Sequence, residues 1–501
     1  MSQARDAEVP AGLREALDQV LGHVKSGSYD AALAACAAAL ASFPGAADAL
    51  HLTAYLHQLK REDETALTWF ARAARAAPAN AEIPNNWAGS LKYLLRFEEA
   101  ERMYKRSIQL DPGYAPPHHN LAEMLLVLDR PAEALVHCRA AIELAPDFPD
   151  TYRMLGAALE AQGRADEAIQ AFRLSARQGG SREEAEFSES MARLRAGDYG
   201  AGWPLYEARL SSPRVRSLHE RFDLPRWRGA HLAGRTLVVC REQGLGDEIM
   251  FASCFPDLLA TGARCLITSD RRLAALLARS FPAAAILSGR EEELRARVAG
   301  ENADFQIAAG SLPLVFRSAL RDFPRHEGYL RPDPARVAHW RSRLAALGPG
   351  PKIGLSWRGG TLHTGMNRRS LALAQLEPVL RHPGVHWISL QWDVGPGENL
   401  GAGGAPVHHW PEALADYDET AALLCALDQS ISVCGSVIHL CGALGRPVWV
   451  MVPWLPEWRY GAAGETMPWY PAVRLFRQGA YGAWPPLIER VAAELAARYP
   501  G

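Results

Sequence analysis

Proline recurs at Pro44, Pro78, Pro112 and Pro146, each 34 residues after the last, and Ala32, Ala66, Ala100 and Ala134 precede them in the same register. Two further columns share the period. Cys36, Phe70, Tyr104, Cys138 and Phe172 form one of large or apolar residues, and Ala54, Ala88, Ala122 and Gly156 form one of small residues. A fixed period in several columns at once leaves few options: it specifies a stack of helical hairpins, each too small to bury its apolar face alone. Small residues let two helices approach, large ones fill the gap between them, and each proline ends a second helix.

From about Leu13 to Arg177 the chain resembles the tetratricopeptide-repeat family, with four to five repeats. The period stops at Gly179. The stretch SREEAEFSESMARLRAGDYGAGWPLYEARL then predicts two more helices broken at Gly197 and Gly200, and a connector rich in Pro and Arg runs to about Gly234. Beyond it, apolar runs without alternation are separated by helical segments: TLVVC, RCLITSD and DFQIAAG, then KIGLSWRGG, VHWISLQ, QSISVCG and PVWVMVP. Such runs predict parallel sheets covered on both faces. Their division near LGPGPK, Leu347 to Lys352, predicts two doubly wound, Rossmann-like domains across a cleft. The expected order is a repeat solenoid over 1–180, a helical linker over 181–234, one α/β domain over 235–346 and another over 347–501. The amphipathic C-terminal helix PPLIERVAAELAARY is expected to return to the earlier domain.

At 501 residues the chain exceeds one ordinary core. A formal charge of −2 gives no whole-chain reason to bind nucleic acid or an acidic membrane. The N-terminal MSQARDAEVPAGLREAL lacks the basic start and apolar core of a signal peptide, and no run of about 18 apolar residues occurs, so a cytoplasmic protein without a membrane span is expected. Eight cysteines lie scattered without a C-x-x-C spacing, as reduced core thiols would, and no metal site is expected.

The stretch REQGLGDEIMF, Arg241 to Phe251, follows the first apolar run directly. A glycine-rich turn between a buried strand and a helix brings backbone N–H groups close to whatever lies above it, often phosphate. The pattern lacks the third glycine of a dinucleotide fingerprint and the Lys of a P-loop, so it marks a site without naming its ligand.

The series LYEARL, PRWRGA, EQGLGDEIMF, GLSWRGG, SLQ, SVIHLCGALGRPVWV, PEWRY, PWYP and RLFRQ resembles the bacterial tetratricopeptide-repeat glycosyltransferases, whose catalytic part is similar to glycosyltransferase family 9 and folds as GT-B. That resemblance implies sugar transfer from a nucleotide-activated donor, without metal or other cofactor and usually with inversion. By the same resemblance Asp247 matches the general base, with Glu248 behind it; the other reading has Asp247 capping the helix that begins there. Gly244 and Gly246 of that turn, and Gly435, Ser436 and Val437 at the start of a second helix, are expected at the donor phosphates. His439 matches a family histidine that donates to phosphate, or else is structural. Where the related enzymes commonly carry Asp-Thr, this chain has Cys434-Gly435, so a donor contact is missing. Arg358, His363, Arg368 and Arg369 are expected near the leaving diphosphate, or form a solvated basic loop. Gln391 matches the position where such enzymes hold the nucleobase, mostly by backbone. Trp454, Trp458 and Arg459 are candidates for the sugar pocket, although aromatics at a strand end also serve as core. Asp416-Tyr417-Asp418 spells D-x-D, but Glu419 three residues after Asp416 makes a capping arrangement, and the motif is taken as structural.

Three functions follow from these features. The first is a glycosyltransferase whose acceptor is a protein presented by the repeats, with flagellin a candidate because related repeat-bearing transferases modify it. The second acts on a lipid-linked or capsular glycan. The third is a non-catalytic scaffold with a degenerate transferase half.

Overall fold

The computed structural model describes residues 10–212, 222–360, 365–395, 397–401 and 405–500. The chain divides into two compact units, Met1–Gly180 and Ser181–Gly501.

The first unit is a tetratricopeptide-repeat solenoid of five helical hairpins: α1 (Ala11–Lys25) with α2 (Tyr29–Ser42), α3 (Ala47–Leu59) with α4 (Asp63–Ala76), α5 (Glu82–Tyr93) with α6 (Phe97–Leu110), α7 (Ala115–Val127) with α8 (Pro131–Leu144), and α9 (Pro149–Ala161) with α10 (Ala165–Arg177). All four repeating alanines of the second helices are buried, as are Cys36, Phe70, Tyr104, Cys138 and Phe172. The small and large columns meet directly in the last hairpin, where a Cβ added at Gly156 would lie 2.4 Å from the Phe172 ring. Within each hairpin the chain reverses through one left-handed residue, at Gly27, Arg61, Leu95, Asp129 and Gly163, again 34 apart. Glycine adopts that conformation freely, whereas the three non-glycine residues adopt it at a cost.

The second unit holds two parallel sheets. In the first, β1 (Thr236–Cys240), β2 (Arg264–Thr268), β3 (Ala285–Leu287) and β4 (Phe305–Ala308) run in the order β3-β2-β1-β4. The second comprises β5 (Lys352–Ser356), β6 (His386–Ser389), β7 (Val407–His408), β8 (Gln429–Val433), β9 (Val448–Val452), β10 (Thr466–Met467) and β11 (Tyr470–Arg477). Its order is β10-β11-β9-β8-β5-β6-β7, parallel except for the β10–β11 pair. Alternate residues of a strand face opposite layers. Leu237 and Val239 enter one core while Val238 and Cys240 enter another, and Val448 and Val450 part from Trp449 and Met451 in the same way. Both sheets are thus covered on both faces, as apolar runs without alternation require.

Two segments lie elsewhere than their sequences suggested. The stretch expected as a linker starts with α11 (Arg182–Arg195) and α12 (Tyr199–Tyr206). Trp203 and Tyr206 place it inside the α/β core, in edge-on contact with each other at 5.6 Å; Trp458 lies edge-on to Trp203 at 5.3 Å and tilted against Tyr206 at 5.8 Å. The C-terminal helix Trp484–Arg498 packs on its own sheet, because Leu487, Ile488, Val491 and Leu495 join the core formed by Ile353, Leu355 and Leu376.

Candidate functional site

Each sheet has one place where the strand order reverses. In the first it lies between β1 and β4, in the second between β5 and β8. Loops leaving carboxyl ends of strands at such a point diverge and leave a crevice, where ligands of open α/β sheets bind. REQGLGD leaves β1, WRGG leaves β5 and Cys434-Gly435-Ser436 leaves β8, so all three candidate loops stand at these points. The helices that follow the first and third, Leu245–Phe251 and Ser436–Ala443, pack on one another. Glycines permit this closeness: a Cβ at Gly246 would lie 3.0 Å from the His439 ring, and one at Gly359 would lie 2.2 Å from the Cys434 carbonyl oxygen.

A chain of four charges runs through the site. Arg459 Nη1 donates to Asp247 Oδ1 at 2.7 Å, and Arg459 Nε stands 3.1 Å from Glu457 Oε2. The other oxygen of Glu457 accepts from Nη1 of Arg369. Arg369 is buried, its guanidinium lying against the backbone of Gly360. Asp247 keeps 29 % of its side chain exposed, enough for a small group to reach it. Burial raises its carboxyl above the ordinary range, Arg459 opposes that rise, and Glu457 and Glu242 add to it. Gly244 is the N-cap of the Leu245–Phe251 helix, which leaves Asp247 in the first turn rather than at the cap.

The remaining predicted residues divide by what already holds them. Glu248 is buried, and its Oε2 accepts from Ser269 Oγ at 3.0 Å and from the Asp270 N–H at 3.1 Å. It ties the helix to the end of β2 and does not back up Asp247; burial pushes its carboxyl up to about 7. Arg358 is taken by Glu398 in a two-pronged pair at 2.6 and 2.9 Å, which neutralises the charge expected for a diphosphate. Gln391 is buried, and its Oε1 accepts from Ser356 Oγ and from the Trp357 and Arg358 N–H groups at 3.0–3.1 Å. Its side chain clasps the end of β5. His439 is buried with Nδ1 3.1 Å from the Tyr470 hydroxyl. Burial, then Arg459 and Arg369, hold its pKa well below the usual value, so the ring is neutral. Trp458 is core, ringed by Trp203, Trp469, Tyr206 and Phe251. Trp454 is 39 % exposed, and Ser436 Oγ accepts from the Tyr417 hydroxyl at 3.0 Å. Gly435 is extended, and Val437 is half-buried against the core. Arg368 is half-buried, and His363 lies outside the described residues. In the D-x-D stretch, Asp416 caps its helix by accepting from the Glu419 N–H at 2.7 Å, and Asp418 pairs with Arg279 at 2.7 and 2.8 Å.

Two features had no local signal. Glu457 sits in PEWRY, a stretch recognisable only as a motif, and its bridging position depends on Arg369, 88 residues earlier. Below the first turn, Glu242 accepts from the Gly310 N–H at 2.8 Å and from Arg209 Nη2 at 3.0 Å. Ser311 Oγ donates to Glu207 at 2.7 Å and accepts from Arg226 Nη2 at 3.2 Å. The motifs LYEARL and PRWRGA therefore meet in one polar cluster that holds the Arg241–Gly244 turn in place. A buried Arg with two carboxylates in reach is a well-paired arrangement, and losing one partner would leave a costly charge.

Fold and site together define a tetratricopeptide-repeat protein whose second unit is a two-sheet α/β body with a charged crevice. The tetratricopeptide-repeat family matches at residues 137–170. Protein FlbA of Caulobacter vibrioides is 33% identical over 497 residues, covering 94% of this chain and 82% of FlbA. The chain belongs to the FlbA family. Among solved structures, PilF of Pseudomonas aeruginosa is 24% identical, with a TM-score of 0.37 over 41% of this chain and 97% of its own. PilW, a type IV pilus biogenesis factor, is 19% identical with a TM-score of 0.38, over 42% of this chain and 99% of its own. Among the described residues no helix is long and apolar enough to cross a membrane.

Proposed function

We propose that the protein is a glycosyltransferase of GT-B type that moves a sugar from a nucleotide-activated donor to a protein acceptor presented by the repeats, flagellin being a candidate. The reading rests on one observation above all: Asp247, at the switch point of the first sheet, pairs with Arg459, which shares Glu457 with Arg369 on the loops of the second. In this reading Asp247 takes the proton of the acceptor hydroxyl, its burial-raised basicity suiting that task. Arg369 and Arg459 neutralise the leaving diphosphate as the glycosidic bond breaks. An acceptor gripped by the repeats gains effective concentration at the crevice without altering donor chemistry.

A scaffold without transfer is the competing reading, and a specific observation favours it: Arg358 and His439 are both engaged by protein partners. A panel of nucleotide sugars tested by thermal shift separates the two. A true donor at a hundred times its dissociation constant stabilises by about 2.7 kcal/mol. No shift with any donor, at concentrations that saturate ordinary transferases, overturns the enzymatic reading.

A further inference from the structure

Glu457 is placed where a ligand's anion would be. Two guanidinium groups from different segments converge on its carboxylate, Arg369 on one oxygen and Arg459 on the other. Both cations are more enclosed than the anion they share: 9 % of the Arg369 side chain and 16 % of the Arg459 side chain are exposed, against 30 % for Glu457.

The cations are also anchored where they stand. Arg369 lies against Gly360, where no side chain leaves room for anything else. Arg459 follows Trp458 of the aromatic cluster, its guanidinium 5.5 Å over that ring. Behind it, Arg477 donates to the carbonyls of Tyr460, Gly461 and Gly464, which fixes the backbone just past Arg459. Glu457 is the extended residue that ends the Pro453–Glu457 loop, its backbone held by Arg195 Nε on the Pro456 carbonyl at 2.8 Å and by the Tyr460 N–H on its own carbonyl, so that displacement moves its side chain alone. One further group points to an occupant other than Glu457. Arg459 Nε is buried with no hydrogen-bond acceptor in line among the described residues, its 3.1 Å approach to Glu457 being an ion pair only.

We propose that Glu457 is a tethered competitor for a diphosphate group, holding the Arg369–Arg459 pair until a diphosphate displaces it. This rests on the transferase reading only for the identity of the diphosphate carrier; the binding site itself does not. Glu457 is the one carboxylate common to both enclosed guanidinium groups, Asp247 pairing with Arg459, and a dianion in its place matches two cations better, their planar forks suiting phosphate oxygens. The displacement also reaches Asp247. Once phosphate neutralises Arg459, the ion pair that draws the proton from Asp247 weakens, and its carboxylate becomes a stronger base when the donor is in place.

Calorimetry on the full-length protein tests the proposal with inorganic pyrophosphate as the probe. A competitor that holds the site nine-tenths of the time weakens apparent affinity about tenfold, so Glu457→Gln should bind pyrophosphate about tenfold more tightly than wild type. Arg369→Ala and Arg459→Ala should each lose about tenfold or more. Glu457→Gln removes the anion that Arg369 and Arg459 share; should it not fold, Glu457→Asp decides, since the shorter side chain cannot span both guanidinium groups and should also bind more tightly. A folded Glu457 variant that binds pyrophosphate no better than wild type overturns the proposal, as does undiminished binding in both arginine variants. Nucleoside diphosphates that bind more tightly than pyrophosphate identify a nucleotide as the carrier, whereas equal binding points to a diphosphate carried by something else. Tighter binding in Glu457→Gln without turnover of any nucleotide sugar would remove the transferase reading and leave this site standing. Turnover without that tightening would do the reverse.

Discussion

Gly359 is where the loops after β5 and β8 come closest, and replacing it with alanine tests whether that closeness builds the site. The new Cβ would lie 2.2 Å from the Cys434 carbonyl oxygen and 3.2 Å from its carbon, both backbone atoms that cannot rotate away. Ordinary contact between such atoms is about 3.5 Å, so the loops must part by on the order of 1 Å. Gly359 is absent from the left-handed glycines, so alanine itself carries no backbone strain there and the whole effect is steric. Forcing an extra methyl into a packed contact costs about 1–3 kcal/mol. The movement carries Gly360 and the adjoining Arg369, and a displacement of about 1 Å at a reacting centre costs on the order of 100-fold in rate. Urea unfolding followed by tryptophan fluorescence reads the stability change in the right unit, because only Trp69 and Trp87 of the fourteen tryptophans precede Gly180. Gly300→Ala serves as the control: it ends a helix, nothing lies within 4 Å of its added Cβ, and it should be neutral or stabilising by up to about 1 kcal/mol. A Gly359→Ala protein with wild-type midpoint and pyrophosphate affinity refutes the idea that this contact shapes the crevice.

Asp247→Asn should lower turnover about 100-fold or more while nucleotide binding stays nearly intact, since the amide oxygen still accepts from Arg459 but cannot take a proton; wild-type rates would remove Asp247 from the chemistry. Glu248 has its carboxyl raised to about 7 by burial, so the native state holds a proton that the unfolded chain releases nearer 4.5. Its stabilising contribution is complete below about pH 4.5 and is lost as pH rises to about 7. Relative to Glu248→Gln, the wild type should therefore lose up to about 2 kcal/mol between pH 5 and pH 8, and parallel stability curves would contradict the assignment. Leu95 occupies the left-handed hairpin position that Gly27 and Gly163 fill elsewhere, and it is 67 % exposed. Leu95→Gly should stabilise the repeats by up to about 1 kcal/mol in thermal unfolding followed by circular dichroism, and a lower midpoint would show that the leucine packs usefully.

What the sequence alone determined is what neighbours along the chain encode. A helix is specified by residues three and four apart and a hairpin stack by its period, so the columns of Ala66, Phe70 and Ala54 located the solenoid without any long-range information. The strands β1, β2, β4, β5, β6, β8 and β9 showed in the same way, as apolar runs between helices. The short β3, β7 and β10 did not, and neither did β11, whose run is interrupted by Pro471, Arg474 and Arg477. The turn at Gly244–Asp247 stood out because strand, glycines and acid are adjacent. Tertiary structure alone decided who pairs with whom. Asp247 meets Arg459 across 212 residues, Arg358 gives its charge to Glu398, and Glu457 is drawn between Arg369 and Arg459. Trp203, in a stretch that reads as a joint, reaches Trp458 at the centre of the α/β unit. No local pattern distinguishes an arginine that will face a ligand from one that a glutamate will neutralise. The difference lies in which loops the reversal of strand order brings together, and packing over the whole unit sets that order.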